Sequence, residues 1–225
     1  MKKHVALSLL LGIFLASFVL VGTAGATALP PVYDLAGLIS INGHPPIIPC
    51  IPVGDKTASN FGYSEGALAA ALVFVTTSDT NPMNPGLTFS SLWYASGKQS
   101  LNAVISFNVS APSATIDDVS LSVAGWTKNS GTAEVQETVY ADGNTYTMTA
   151  LAGGPQQTVT FAPTGYISIC KDIEVAGNGG YGKWTGSAGI TCITQNFSQV
   201  PVPPGLLLLA PGLLGLFGMR KRIVK

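Results

Sequence analysis

The chain has 225 residues, of which 47% are hydrophobic and only 10% are charged, a composition unlike that of an ordinary cytosolic enzyme or an acidic disordered tail. The formal net charge is zero, but six of the 11 basic residues lie at the two ends. The stretch 29–200 carries five Lys, no Arg and all 11 acidic residues, a net charge of −6, so it lacks the basic surface that nucleic-acid binding requires.

The N-terminal residues have the features of a secretory signal peptide. Two lysines precede an uncharged, mostly apolar run over 5–21, and two overlapping A-x-A sites follow within 24–28. The run is barely long enough to span a membrane and a cleavage site follows directly, which favours a signal peptide over an uncleaved membrane helix. We predict a signal peptide over 1–28 and a mature chain that begins near Thr27 or Leu29.

The segment 29–199 is predicted to form one mostly β domain, an antiparallel β-sandwich of the jelly-roll or immunoglobulin-like type. Seven runs of β-branched and aromatic residues are bounded mostly by Gly, Pro, Asn or Asp, at a spacing typical of sandwiches. The predicted strands are 88–94, 103–109, 119–123, 133–140, 146–151, 158–161 and 166–175. In the last of them the apolar face also contains Lys171, which we expect to reach an edge.

The connections between these strands carry distinct signals. Asp142-Gly143 is typical of a two-residue hairpin, because both central positions of a type I′ turn need positive φ. The segment 64–75 mixes helix-forming Ala and Leu with β-branched and aromatic residues, and we allow one short helix there. The ranges 29–60 and 177–189 show no period and are predicted to be loops, the second a glycine-rich hairpin tip.

The segment offers no evident scaffold for catalysis. Its one histidine, His44, precedes two prolines, so neither a Ser-His-Asp triad nor a multi-histidine metal centre is indicated. Pairing of His44 with Cys50 is disfavoured, since exported cysteines are more typically disulfide-bonded or unpaired. The adjacent Asp117 and Asp118 point to opposite strand faces, and 79–84 lacks the Gly and Glu of a calcium loop. We predict no enzymatic activity, no cofactor and no metal site.

Three cysteines leave one thiol over and allow three disulfide pairings. Cys170 and Cys192 flank the glycine-rich tip in strand-like runs, so we predict a cross-strand bridge between them. Two alternatives stay open: Cys50 pairs with one of them, or all three are reduced packing residues.

Aromatic residues give the one hint of a ligand, since amphipathic rings can stack on sugars if they are exposed. Trp93 and Trp126 lie in or beside predicted strands and are expected in the core. Tyr181 and Trp184, in the glycine-rich tip, are the candidates for sugar stacking.

The C-terminal residues fall into three parts. The motif Val200-Pro201-Val202-Pro203-Pro204 precedes the uncharged, leucine-rich segment 205–219 and the basic end 220–225, which begins Arg220-Lys221-Arg222. At 1.5 Å per residue, 205–219 makes about 22 Å of helix, short of a hydrocarbon core of about 30 Å. The basic cluster is expected to stay cytoplasmic, which leaves 29–200 outside.

This tail resembles that of the PEP-CTERM family of exported bacterial proteins, in its VPLPA-like variant. Val200 to Pro203 match V-P-x-P, whereas the Pro-Glu-Pro form has Glu where this chain has Val202, and Pro204 replaces a usual small residue. The resemblance implies sorting by an exosortase-like membrane protease in an exopolysaccharide context. A permanent single-span anchor is the alternative, and the tail matches neither an L-P-x-T-G signal nor a GPI signal.

We therefore expect an exported structural protein of the cell envelope or exopolysaccharide matrix, with the secretion machinery, an exosortase-like protease and possible exopolysaccharide as partners. It would pass through an inner-membrane intermediate to the cell surface or extracellular matrix of a Gram-negative-type bacterium. The alternative is a carbohydrate-binding or adhesive module anchored permanently by its C-terminal segment. A secreted hydrolase would require acidic side chains to converge on His44 in a cleft.

Overall fold

The computed structural model describes residues 30–40, 44–64, 70–78, 81, 83–111, 115–179 and 186–199. The predicted signal peptide and sorting tail lie outside these ranges. Within them, no helix has the length and apolar character needed to cross a membrane.

In the described part of the chain, twelve strands form two antiparallel sheets of six strands each. The strands are β1 (Val32–Asp34), β2 (Cys50–Val53), β3 (Lys56–Ser64), β4 (Phe74–Ser78), β5 (Gly86–Ser96), β6 (Ser100–Ser110), β7 (Ile116–Lys128), β8 (Thr132–Ala141), β9 (Asn144–Leu151), β10 (Gln157–Thr164), β11 (Tyr166–Ala176) and β12 (Ser187–Gln199). Sheet I has the order β1-β4-β5-β12-β7-β10, and sheet II has the order β2-β3-β6-β11-β8-β9. A four-residue helix, α1 (Leu35–Leu38), and a 3₁₀ turn at Ala70–Leu72 complete the elements.

The inner faces of both sheets contribute to one apolar core, as in a β-sandwich. Buried and less buried residues alternate along β6 and β11, because successive side chains of a strand point to opposite faces. Phe89 of sheet I contacts Phe107 of sheet II, with ring centroids 5.5 Å apart. Burial of apolar side chains between the two layers is therefore what holds the sheets together.

All seven predicted strands are confirmed, as β5 to β11. The predicted hairpin is also confirmed: Asp142 has φ 48° and Gly143 has φ 82°, and Ala141 pairs with Asn144 across the turn. Of the helix allowed over 64–75, the described part holds only the 3₁₀ turn, after which Phe74 begins β4.

The prediction that 29–60 and 177–189 are loops is wrong in part, because β1, β2, the start of β3 and the start of β12 lie there. Pro52 fits in β2 because β2 is an edge strand of sheet II. In β3 the register shifts between Ser59 and Gly62, and Asn60 has φ 53°, so a bulge breaks the alternation. These strands lack the regular alternation of apolar and polar residues by which a strand is recognised in a sequence.

The prediction that Lys171 reaches an edge is also wrong. Strand β11 is central in sheet II, and the side chain of Lys171 is fully buried. It forms an ion pair with Glu137 and donates a hydrogen bond to Gln195. The sequence pattern correctly predicts that Lys171 faces inward. The pattern of one strand does not reveal a buried polar partner in the opposite sheet.

Candidate functional site

The structure places the predicted aromatic residues in very different surroundings. Trp93 is fully buried, which confirms the expectation that it belongs to the core. Trp126 was expected in the core as well, and this is wrong, since it is 40% exposed on the outer face of β7. Tyr181 and Trp184, the predicted sugar-stacking residues, lie outside the described residues, as do Val200 to Pro204 and the basic end of the tail.

Trp126 pairs with a second exposed ring on the outer face of sheet I. Tyr94 of β5, 45% exposed, and Trp126 of β7 flank the central strand β12. Both are in register with Gly189 of β12, so the three positions form one row across the sheet. The two ring centroids are 6.3 Å apart with an interplanar angle of 30°. We call Tyr94 and Trp126 the aromatic pair.

Gly189 is what allows these rings to approach each other. Strands two positions apart in a sheet are separated by about 10 Å, so side chains on them meet only above the strand between. A Cβ at position 189 would lie 2.6 Å from Cη2 and 2.7 Å from Cζ2 of Trp126. The indole therefore lies over the bare backbone of β12 and reaches toward Tyr94.

The aromatic pair has an apolar neighbour on one side and polar neighbours on the other. Leu92, two residues before Tyr94 on the same face of β5, is 52% exposed. In the opposite direction, the next row across the sheet consists of Ser96, Ser187 and the exposed Lys128. The surface thus combines flat rings with hydroxyl and ammonium donors at its rim, a combination suited to a polar ligand with an apolar face.

The outer face of sheet II has a different character. A shallow depression there is lined by Glu134, Gln136, Thr149, Asp172 and Glu174. Among the described residues no cluster of His, Cys, Asp and Glu is arranged to hold a metal ion. This face is acidic where the face of sheet I is aromatic, so the two outer surfaces suit different ligands.

The predicted disulfide between Cys170 and Cys192 is not formed; both thiols are free, as is the exposed Cys50. Cys170 lies in β11 of sheet II and Cys192 in β12 of sheet I. Each is less buried than the core residue that follows it along its strand, Lys171 and Ile193 respectively. The two side chains therefore point away from the core on opposite sides of the sandwich, whereas the prediction treated β11 and β12 as neighbours in one sheet.

Comparisons with known proteins give no family assignment, since no protein-family model and no curated protein matches the sequence. Ten chains of solved structures match, among them three weak likenesses that each cover part of this chain. A carbohydrate-binding module, TmCBM61, in complex with beta-1,4-galactotriose is 17% identical with a TM-score of 0.32, over 60% of this chain and 86% of that one. The enzymatically active domain of tailspike protein 4 from bacteriophage CBA120 is 17% identical with a TM-score of 0.25, over 63% of this chain and 20% of that one.

The third is a glycosylation-associated protein complex from Streptococcus agalactiae, 9% identical with a TM-score of 0.28, over 60% of this chain and 26% of that one. At TM-scores this low, none of the three likenesses carries an argument about ligand or activity.

Proposed function

We propose that this protein is a non-enzymatic, exported surface or matrix protein that binds polysaccharide through the aromatic pair. The single observation that carries the proposal is that Tyr94 and Trp126 are both exposed and in contact over a glycine on the outer face of sheet I. Contiguous exposed apolar surface often marks a binding site, and the two rings that meet at the surface form such a patch with the exposed Leu92.

The chemistry of a sugar ring suits this surface. A pyranose ring presents C–H groups on its faces and hydroxyls around its edge, so it can stack on Tyr94 and Trp126 while Ser187 and Lys128 donate hydrogen bonds. Tyr and Trp lose little conformational entropy on binding because each has only two χ angles. None of these polar neighbours is a carboxylic acid, which is consistent with binding and not with glycoside hydrolysis.

Export and sorting are part of the same proposal and have their support in the sequence. The A-x-A sites that follow the N-terminal apolar run favour secretion, and the V-P-x-P motif with its basic end favours processing by an exosortase-like protease. Such processing would deliver the domain to the cell surface or exopolysaccharide matrix, where a polysaccharide ligand is abundant. A permanent membrane anchor would leave the same binding surface exposed, and remains the alternative for topology.

We also propose that the sandwich is of the jelly-roll type. Strands β5 to β12 supply four adjacent strands to each sheet, and they pair as β5 with β12, β6 with β11, β7 with β10 and β8 with β9. The chain from β5 to β12 is therefore one long hairpin, with its apex at Asp142-Gly143, wrapped into two sheets. An immunoglobulin-like sandwich does not have this nested pairing.

The aromatic pair can be tested by affinity electrophoresis in gels that contain exopolysaccharide extracted from the source bacterium. We expect retardation of the wild-type protein. The affinity should fall about tenfold for Trp126→Ala and by up to the same factor for Tyr94→Ala, since a stacked ring contributes about 0.5–1.5 kcal/mol. Tyr140→Ala is the matched control, because Tyr140 is 51% exposed but lies on sheet II. Equal retardation of Trp126→Ala and wild type would refute the assignment.

A further inference from the structure

A cluster of polar side chains lies inside the apolar core, outside the proposed ligand surface. Lys171, Glu137 and Gln195 are each 0% exposed. Lys171 of β11 is in register with Glu137 of the neighbouring strand β8, and the two form an ion pair. The same Nζ donates a hydrogen bond to Oε1 of Gln195, which belongs to β12 in the opposite sheet.

This arrangement is a poor way to stabilise a core. Removing a charge from water is costly, and well-packed apolar residues of the same volume often serve better. Oε1 of Glu137 is buried and has no hydrogen-bond partner among the described residues. The ring of Phe107 has its centroid 5.9 Å from Nζ of Lys171. A buried nucleophile, carboxyl group and carboxamide held together at this cost suggest a chemical role.

The burial of the lysine favours such chemistry. Burial lowers the pKa of Lys171, although the adjacent Glu137 acts in the opposite direction. Only the neutral form of an amine is a nucleophile, and burial favours that form. The electrophile within its reach is the side-chain carboxamide of Gln195.

We propose that Lys171 and Gln195 react within the folded domain to form an amide bond that joins sheet II covalently to sheet I. In this reaction Nζ of Lys171 attacks Cδ of Gln195, the new C–N bond forms, and the Cδ–Nε2 bond breaks. Starting from the neutral amine, Nζ loses one proton and the departing Nε2 gains one. The products are the cross-link and ammonia, and no oxidant, cofactor or metal is consumed.

Glu137 is the catalytic residue of this reaction, because its carboxyl group touches the attacking nitrogen and can relay that single proton. The leaving group is held as well: Nε2 of Gln195 donates a hydrogen bond of 3.1 Å to the backbone carbonyl oxygen of Ser120. The reacting groups are thus fixed by three strands, β8, β11 and β12, so folding itself supplies the orientation.

The product would serve an exported protein well. It joins β11 to β12 and closes the loop that contains the glycine-rich tip, the role that the Cys170–Cys192 bridge was predicted to play. Unlike a disulfide it does not depend on redox conditions. The inference does not rest on polysaccharide binding, since it concerns the core and not the outer face of sheet I.

Mass spectrometry of the folded, reduced protein tests the cross-link directly. We expect an intact mass lower by one ammonia than the sequence of the same mature chain requires. Trypsin does not cleave after an acylated lysine, so Lys171 should be skipped. The digest should contain a branched product in which the peptide that ends at Lys183 is joined to the peptide that begins at Trp184 and contains Gln195. Fragmentation of this product assigns the bond.

Glu137→Gln removes the proton relay while keeping the size of the side chain, and should give a protein with β-type circular dichroism, the full sequence mass and no branched product. Glu134→Gln is the matched control, because Glu134 lies on the same strand with the opposite parity and faces outward. It should keep the loss of ammonia. Three results would overturn the proposal: an unmodified mass for folded wild type, loss of water at a Lys171–Glu137 link, or an undiminished cross-link in Glu137→Gln.

Discussion

Gly189 controls the geometry of the aromatic pair through the side chain that it lacks. The indole of Trp126 occupies the space where a Cβ at position 189 would lie, at 2.6 Å from the nearest ring atom. The backbone at Gly189 is not in the left-handed region, so an alanine there meets no conformational barrier. A substitution at this position therefore acts on the ring and not on the strand.

We predict that Gly189→Ala displaces Trp126 and weakens polysaccharide binding nearly as much as Trp126→Ala does, about tenfold at most. The measurement is retardation in the same gels, with tryptophan fluorescence to report the changed environment of the indole. Gly165→Ala is the control, since its Cβ would meet only the carbonyl oxygen of Ala111 at 3.6 Å. Wild-type retardation of Gly189→Ala would show that the position of the indole does not matter for binding.

The two tryptophans of the described strands show why residue type alone did not locate the site. Trp93 lies between Leu92 and Tyr94, so apolar residues occupy both faces of β5 and the period of two is hidden. Trp126 is exposed because it lies on the outer face of β7. It meets Tyr94 because the residue between them on β12 is a glycine, and that pairing depends on which strands are neighbours. The sequence indicates that aromatic rings form a candidate ligand surface, but only the strand register brings Tyr94 and Trp126 together.

At the scale of elements, the Asp142-Gly143 turn ties the apex of the long hairpin to the other sheet. The carboxylate of Asp142 accepts hydrogen bonds from Nδ2 of Asn144 at 3.0 Å, from the hydroxyl of Tyr146 at 3.1 Å and from the backbone N–H of Ala162 at 3.2 Å. Ala162 belongs to β10 in sheet I, whereas the turn joins β8 and β9 in sheet II. These hydrogen bonds, led by that from Asn144, lower the pKa of Asp142.

This pKa shift predicts a pH-dependent contribution of Asp142 to stability. Because the carboxyl pKa is lower in the folded state than in the unfolded state, the contribution is complete above the unfolded value and is lost as the pH falls through the folded value. Asp142→Asn keeps a residue that tolerates positive φ but removes the charge. We expect a slightly lower Tm for the variant at neutral pH and a difference that shrinks under acid. A Tm difference that stays constant with pH would contradict this.

The elements with regular alternation and clear turn residues were predictable, and the irregular ones were not. Strands β5 to β11 and the hairpin at Asp142 follow from local sequence, because their runs of β-branched and aromatic residues are bounded mostly by Gly, Pro, Asn or Asp. Strand β12 begins among glycines, and its register shifts between Ile190 and Cys192 against both neighbours. A bulge of this kind depends on pairing partners, so local sequence does not reveal it.

At the scale of the whole molecule, the decisive information is which strands face each other across the core. Placing Cys170 and Cys192 in one hairpin was reasonable locally but wrong, because β11 and β12 belong to different sheets. The same fact brings Lys171 to Gln195 and gives the core its polar cluster. Contacts between sheets join residues that no local sequence pattern relates, so these contacts appear only once the fold is known.

The two ends of the chain are expected to be absent from the mature protein. The described strands end at Gln199, so cleavage at the V-P-x-P motif would remove 205–225 and leave every described strand intact. At 1.5 Å per residue, a helix over 205–219 would be only about 22 Å long, which is too short to serve well as a permanent anchor. Protein recovered from the cell surface of the producing bacterium should therefore begin near Thr27 or Leu29 and end near Pro204. Its intact mass should also be lower by one ammonia, because of the cross-link. Intact masses that include 205–225 would instead establish a retained anchor, and they would leave both the aromatic pair and the cross-link open to their own tests.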